Sequence, residues 1–193
     1  MKREQIDTAA SALNKESGLS VQVLYDEPGC FDSLMAHCGN FINVTNYIAL
    51  VGPKEPELDE TAGFFGEQLV LRVQELDLNT CWVALSHGRS SAAIGQGQKL
   101  ACIIALGYGA TQGTPHRNKP LSDLFNCASA MPDWFARGME AALLAPTALN
   151  QQEFCFELQS DKVTMGTGRG SYTKLDRGIV KYHFDTASVR TAL

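Results

Sequence analysis

Thr147, Asn150, Gln151 and Gln152 follow an apolar, helix-like run and Pro146, with no charge among them. They supply a hydroxyl and three amides, groups that both donate and accept hydrogen bonds. Such a set could read the polar edge of a flat cofactor. It equally suits an ordinary connecting loop, because loops collect these residue types. A helix that merely ended here would stop more simply on Gly and a short polar turn. The second group with chemical potential is cationic. His116, Arg117 and Lys119 lie just past a buried-strand pattern, in a glycine-bearing loop. An arginine fork beside a lysine ammonium can grip a phosphate, although a solvated basic loop would read the same.

Side-chain catalysis has no visible carrier. The chain contains no Gly-x-Ser-x-Gly, no His-Glu-x-x-His and no credible pair of carboxylates. His37, His87 and His183 are isolated and read as structural, and Asp176 reads as an exposed helix residue. The six cysteines, Cys30, Cys38, Cys81, Cys102, Cys127 and Cys155, have neither Cys-x-x-Cys spacing nor companion histidines. They read as reduced thiols, with no metal site, and Cys81, Cys102 and Cys155 as small hydrophobes in strands. Gly107-Tyr-Gly-Ala-Thr-Gln-Gly113 follows a strand, but Pro115 and the cationic run come next instead of the helix N-terminus that a dinucleotide pyrophosphate needs. Gly166-Thr-Gly-Arg-Gly170 lacks the spacing and lysine of a phosphate loop and reads as a flexible turn. Polar uncharged groups, a phosphate-type loop and no acid, base or nucleophile suit an enzyme whose chemistry belongs to a bound cofactor.

Alternating helices and strands must position these groups. Residues 3–17 repeat Ile6, Ala9, Ala10 and Leu13 at helical spacing, with Gly18 as a stop. Residues 19–25 alternate as a strand does, 26–29 form a turn, and 31–37 a short helix. The continuous apolar run 46–52 marks a strand buried on both faces. Residues 59–76 keep Phe65, Leu69, Val73 and Leu76 on one face and form the central core helix. Residues 80–85 and 99–107 read as strands, 121–125 as one helical turn, and Pro132 opens a helix running to Ala145. Residues 154–158 form a strand with 162–165 as its hairpin partner, and a last helix covers 174–185. The pattern is an α+β or α/β domain around a central sheet. Gly63-Phe-Phe-Gly66 and Gly170-Ser-Tyr-Thr173, each set before a helix, hint at a worn repeat.

Composition bounds the partners. With 193 residues and 45% hydrophobic content, the chain makes one domain over 1–193, or one unit of two similar halves near 1–120 and 121–193. Sixteen Lys plus Arg against 21 Asp plus Glu give a net charge of −5, which argues against nucleic acid or an anionic membrane as the main partner. No apolar run approaches the ~20 residues of a membrane span. Met1-Lys2-Arg3-Glu4-Gln5 lacks the apolar core of a signal peptide. A cytoplasmic location is expected.

Taken together, residues 47–52, 66–71 through 78–83, 103–109, 116–120 and 141–154 resemble the FMN-dependent nitroreductase family, in the branch where one chain carries features of both partners of the usual dimer. The resemblance implies a central, mainly antiparallel sheet flanked by helices, with a long core helix. Pro146, Thr147, Ala148, Asn150 and Gln152 fall on the family's Pro-Ser/Thr-x-x-Asn-x-Gln segment, in which Asn150 would hydrogen-bond the flavin and Gln152 brace the loop. Trp82, Val83, Ala84 and Leu85 map to the stretch against the face and reactive edge of the ring, where a backbone N–H would meet the hydride-accepting nitrogen. Arg117 and Lys119, with His116 beside them, map to the phosphate loop. The implied activity is ping-pong transfer from NAD(P)H through FMN to a nitroaromatic, quinone or similar electron-poor substrate. A non-catalytic or degenerate flavin-binding protein of the same fold is the alternative. A pseudo-dimeric monomer and a homodimer both stay open. The chain departs from the family in starting at Met1-Lys2-Arg3, without the Arg-Arg-Ser-x-Arg run that holds phosphate and ribityl chain. Either that run lies upstream or FMN is held less tightly, each lost charge-assisted contact being worth roughly 1.5–3 kcal/mol. Asn40 stands where relatives are expected to carry a cation toward the flavin.

Overall fold

Tyr47 through Gly52 are buried without exception, and they form the middle of a sheet whose two faces are both covered. The computed structural model describes residues 1–32, 41–127, 131–160 and 162–189. The chain forms two compact units. The first comprises Met1–Leu58 with Gln68–Gly113, and the second Asp59–Glu67 with the described residues from Thr114 onward.

The first unit opens with α1 (Lys2–Ser17), which buries Ile6, Ala10 and Leu13 and ends at Gly18 in the left-handed conformation. Its strands are β1 (Gln22–Leu24), β2 (Asn46–Pro53), β3 (Asn79–Val83) and β4 (Gln98–Gly107), in the order β1-β2-β4-β3 and antiparallel throughout. Tyr47, Ala49, Val51, Val83, Ile103 and Ala105 form an apolar cluster with Cys30 and Phe31. The strand expected over 19–25 spans three residues, Gln22–Leu24. Asn14 in α1 takes both backbone groups of Val21, accepting its N–H at 2.6 Å and donating to its C=O at 2.9 Å. Asn14 thus satisfies the Val21 groups that β2 does not reach, while the Ser20 N–H still donates to the Val51 carbonyl at 2.8 Å, in register with the Gln22–Ala49 pair.

The long helix α2 (Leu58–Gln74) has residues in both units. Gly63 and Gly66 lie inside it, not before it as the repeat pattern supposed. The second unit adds β5 (Phe125–Cys127), α3 (Asp133–Ala142), β6 (Phe154–Gln159), β7 (Lys162–Thr167) and α4 (Thr173–Ala187). Its sheet runs β5-β6-β7, with β5 parallel to β6 and β7 antiparallel. Pro132 sits one position outside α3 in an extended conformation, where its missing N–H costs nothing. The helical body closes at Ala142, short of the expected Ala145. An aromatic core fills the unit. Phe156 stacks on Phe184 at 4.4 Å, and Phe135 meets Phe184 edge-on at 5.4 Å.

Two close approaches set how α2 meets α4. A Cβ at Gly63 would run into the carbonyl oxygen of Leu175, and one at Gly178 into that of Glu60. Backbone therefore touches backbone, as only glycine permits. Beside this crossing, buried Glu67 and His183 share a hydrogen bond of 2.8 Å. The helix expected over 31–37, together with Asn40, falls mostly or wholly outside the described residues.

Candidate functional site

The loop after α3 is held by side chains in place of regular structure. Leu149, Asn150 and Gln152 all have positive φ, at 53°, 52° and 45°. Each such residue costs roughly 1–2 kcal/mol, less for Asn. Something must therefore fix the loop, and Gln152 does most of it. Its side chain is 2% exposed. Its Oε1 accepts the Lys119 backbone N–H at 2.8 Å, while its Nε2 donates to the Arg117 carbonyl and to Asn150 Oδ1, both at 2.8 Å. Its own backbone N–H donates to the Thr147 hydroxyl at 3.1 Å. Asn150 adds a bond from Nδ2 to the Arg117 carbonyl at 2.7 Å. The polar loop and the cationic loop are thus one hydrogen-bonded body.

Asp176 anchors that body, although the sequence suggested an exposed helix position. Only 6% exposed, it sits in the first turn of α4. Its Oδ1 accepts the Ala148 N–H at 2.9 Å and its Oδ2 accepts from Gln151 Nε2 at 2.7 Å. Gln151 Nε2 also donates to the Ser171 carbonyl at 2.8 Å. Burial pushes the Asp176 carboxyl above the usual carboxylate range, against the opposing pull of these two bonds. A signal for it was present. Asp176, Ile179, Val180 and His183 keep the i, i+3, i+4, i+7 spacing of a buried face, and a charge on such a face needs partners.

The cations of the second loop differ among themselves. Arg117 is exposed and has no ion-pair partner among the described residues. The Nδ1 of His116 is buried and lacks a hydrogen-bond partner. Lys119 is already engaged: its Nζ donates to Glu153 Oε1 at 2.8 Å and to the Gln152 carbonyl at 3.2 Å. Of these cations only Lys119 lines the neighbouring cavity of about 420 Å³, whose wall also includes Gln152, Glu153, Gly166 and Gly168.

Of the residues singled out in the sequence, Arg117, Lys119, Pro146, Thr147, Ala148 and Asn150 all belong to the second unit. Trp82, Val83, Ala84 and Leu85 belong to the first. Trp82 is half-buried and Val83 buried at the end of β3, while Leu85 is 64% exposed. Past them, the small-residue loop is pinned by the fully buried Tyr47, whose hydroxyl lies 3.1 Å from Ser90 Oγ and accepts the Ser91 N–H at 2.9 Å. The first unit has a cavity of its own, about 470 Å³, lined among others by Asn43, Asn46, Thr80, Cys81 and Tyr108. No disulfide joins the five described cysteines, of which Cys102 is buried as expected and Cys81 and Cys155 are exposed. Among the described residues no cluster suits a metal ion, and no helix is long and apolar enough to cross a membrane.

Residues 1–188 match the sequence family described as "Putative TM nitroreductase". A crystal structure of a putative nitroreductase from Thermotoga maritima MSB8 superposes with a TM-score of 0.62 at 23% identity, over 86% of this chain and 64% of that one. That likeness establishes the fold, and this chain spans 64% of the solved chain's length. An FMN-dependent nitroreductase from Clostridium difficile R20291 aligns more distantly, with a TM-score of 0.45 at 18% identity, over 64% of this chain and 82% of that one. Among curated proteins, none matches.

Proposed function

The chain belongs to the nitroreductase family that its residues 1–188 match, and from that membership we propose that it binds FMN and acts as an NAD(P)H-dependent oxidoreductase toward electron-poor organic acceptors such as nitroaromatics or quinones. The observation that carries the proposal is the knitting of the cationic and polar loops through Gln152, with Arg117 unpaired beside them. FMN, when bound, supplies the reversible two-electron chemistry that no side chain here offers.

The second unit's donors fit the phosphate end of such a group. Arg117 offers an uncommitted guanidinium fork, and His116 an orphaned buried nitrogen in need of a partner. Lys119 contributes once it parts from Glu153. The amide of Asn150 is engaged on both sides, so its first task is to hold the Arg117 carbonyl and the loop. Pro146, Thr147 and Ala148 then present a fixed loop backbone, and the Thr147 hydroxyl keeps its proton free to donate. Trp82, Val83, Ala84 and Leu85 enter as the ring-facing stretch through the family resemblance, to be tested by substitution. The protein's work is positioning and electrostatics.

The test is direct. Purified protein given FMN takes on a flavin spectrum, which bleaches under anaerobic NADH or NADPH and returns on adding a quinone. A colourless protein that ignores added FMN sinks the proposal. The rival reading is a flavin binder without turnover, and FMN binding with no NAD(P)H oxidation would establish it.

A further inference from the structure

We infer that Glu153 is this chain's built-in competitor for the anion position at Lys119, and that it thereby sets how strongly the site distinguishes a phosphate-bearing flavin from its uncharged form. The inference rests on the flavin reading above and adds a residue to it.

Glu153 directly follows the loop that Gln152 knits together, and its carboxylate is paired with Lys119. Lys119 Nζ donates to Glu153 Oε1 at 2.8 Å. Gly168 leaves the room, since a Cβ there would collide with Glu153 Oε2. The Gly168 N–H also donates to the Glu153 carbonyl at 3.0 Å, which fixes the two backbones side by side. A carboxylate at such a distance makes the same charge-assisted contact with the ammonium that a phosphate oxygen would make. Asp123 lines the same cavity of about 420 Å³.

The pair is nonetheless weakly held. Its side chains are 40% and 36% exposed, which leaves the contact open to water and salt. An arriving phosphate can therefore take Lys119 only by exchange, displacing Glu153 while tolerating its nearby charge. Riboflavin, which has the same ring and ribityl chain without the phosphate, needs no exchange. The Kd ratio of the two flavins isolates the effect from everything else that holds the ring.

The experiment titrates the wild type and Glu153→Gln with FMN and with riboflavin, following flavin fluorescence, with near-UV circular dichroism to confirm an unchanged fold. Glu153→Gln should tighten FMN about fivefold at low ionic strength and leave riboflavin unchanged. The gain should shrink as salt is raised from ~20 to ~200 mM. Lys119→Met should abolish it, so that Lys119→Met and the double variant bind FMN equally. Unaltered FMN binding in Glu153→Gln, or equal tightening of both flavins, overturns the role of Glu153 while leaving the flavin reading intact. A protein that binds neither flavin overturns both.

Discussion

Asp176 is a buried carboxylate whose only named duties are toward one loop, and that makes its titration informative. Its pKa is raised by burial, so the native chain holds a proton there at pH values where the unfolded chain has released it. The stability this contributes is fully present below the unfolded pKa and is lost as pH rises through the folded one. Asp176→Asn removes that titration. The stability margin of wild type over the variant should therefore be largest in acid and narrow on the way to neutrality, as read by urea unfolding across that range; a margin that widens with pH contradicts the assignment. The introduced side-chain amide would also confront donors with an N–H₂ where a carboxylate oxygen had accepted, so hydrogen exchange at Ala148 should quicken even where global stability is unchanged. The residue types of the loop were legible in the sequence, and so was Gln152 as a brace. Its anchor was missed because Asp176 was judged by its charge and not by the apolar spacing it shares with Ile179 and Val180.

At the scale of elements, the glycines of α2 and α4 govern one contact. Gly63 and Gly178 let two helix backbones touch, and neither clash can be relieved by turning a flexible side chain. Gly63→Ala should cost about 1–3 kcal/mol despite the higher helix propensity of alanine, with chemical denaturation as the measurement. Gly29→Ala, where an added Cβ meets open space, is the control and should be near neutral or stabilising. Patterning exposed the long helices and the buried strand β2 because each repeats its apolar signal over many residues. It missed β5, three residues whose partner β6 lies some thirty positions away in parallel, since a pairing so short and so distant leaves no local trace. It also overextended β1, whose regular pairing covers only Gln22–Leu24. The phenol and hydroxyls pinning the 84–97 loop were likewise invisible before Tyr47 and Ser90 were seen side by side.

For the molecule as a whole, the proposed cofactor should act as a ligand of the native state. FMN at 100 times its Kd would add about 2.7 kcal/mol, visible as a rise in melting temperature. The rise should diminish with salt if phosphate contacts carry much of the affinity, and riboflavin should give a smaller, salt-independent one. An FMN shift no larger than that of riboflavin, and indifferent to salt, would show that the cationic loop contributes nothing. Family and fold class were legible because several weak motifs agreed across most of the chain. The spread of the singled-out residues over two units was not, since it depends on contacts distant in sequence. The division also bears on how the protein is made. Residues 59–67 leave the ribosome early, yet Gly63 and Glu67 meet their partners on α4 only after Leu175, Gly178 and His183 have been added. Glu67 and His183 stand 116 positions apart. During synthesis the middle of α2 must wait with an apolar face and the Glu67 carboxylate uncovered until α4 has been added, and a ribosome stalled before α4 presents a natural target for chaperones.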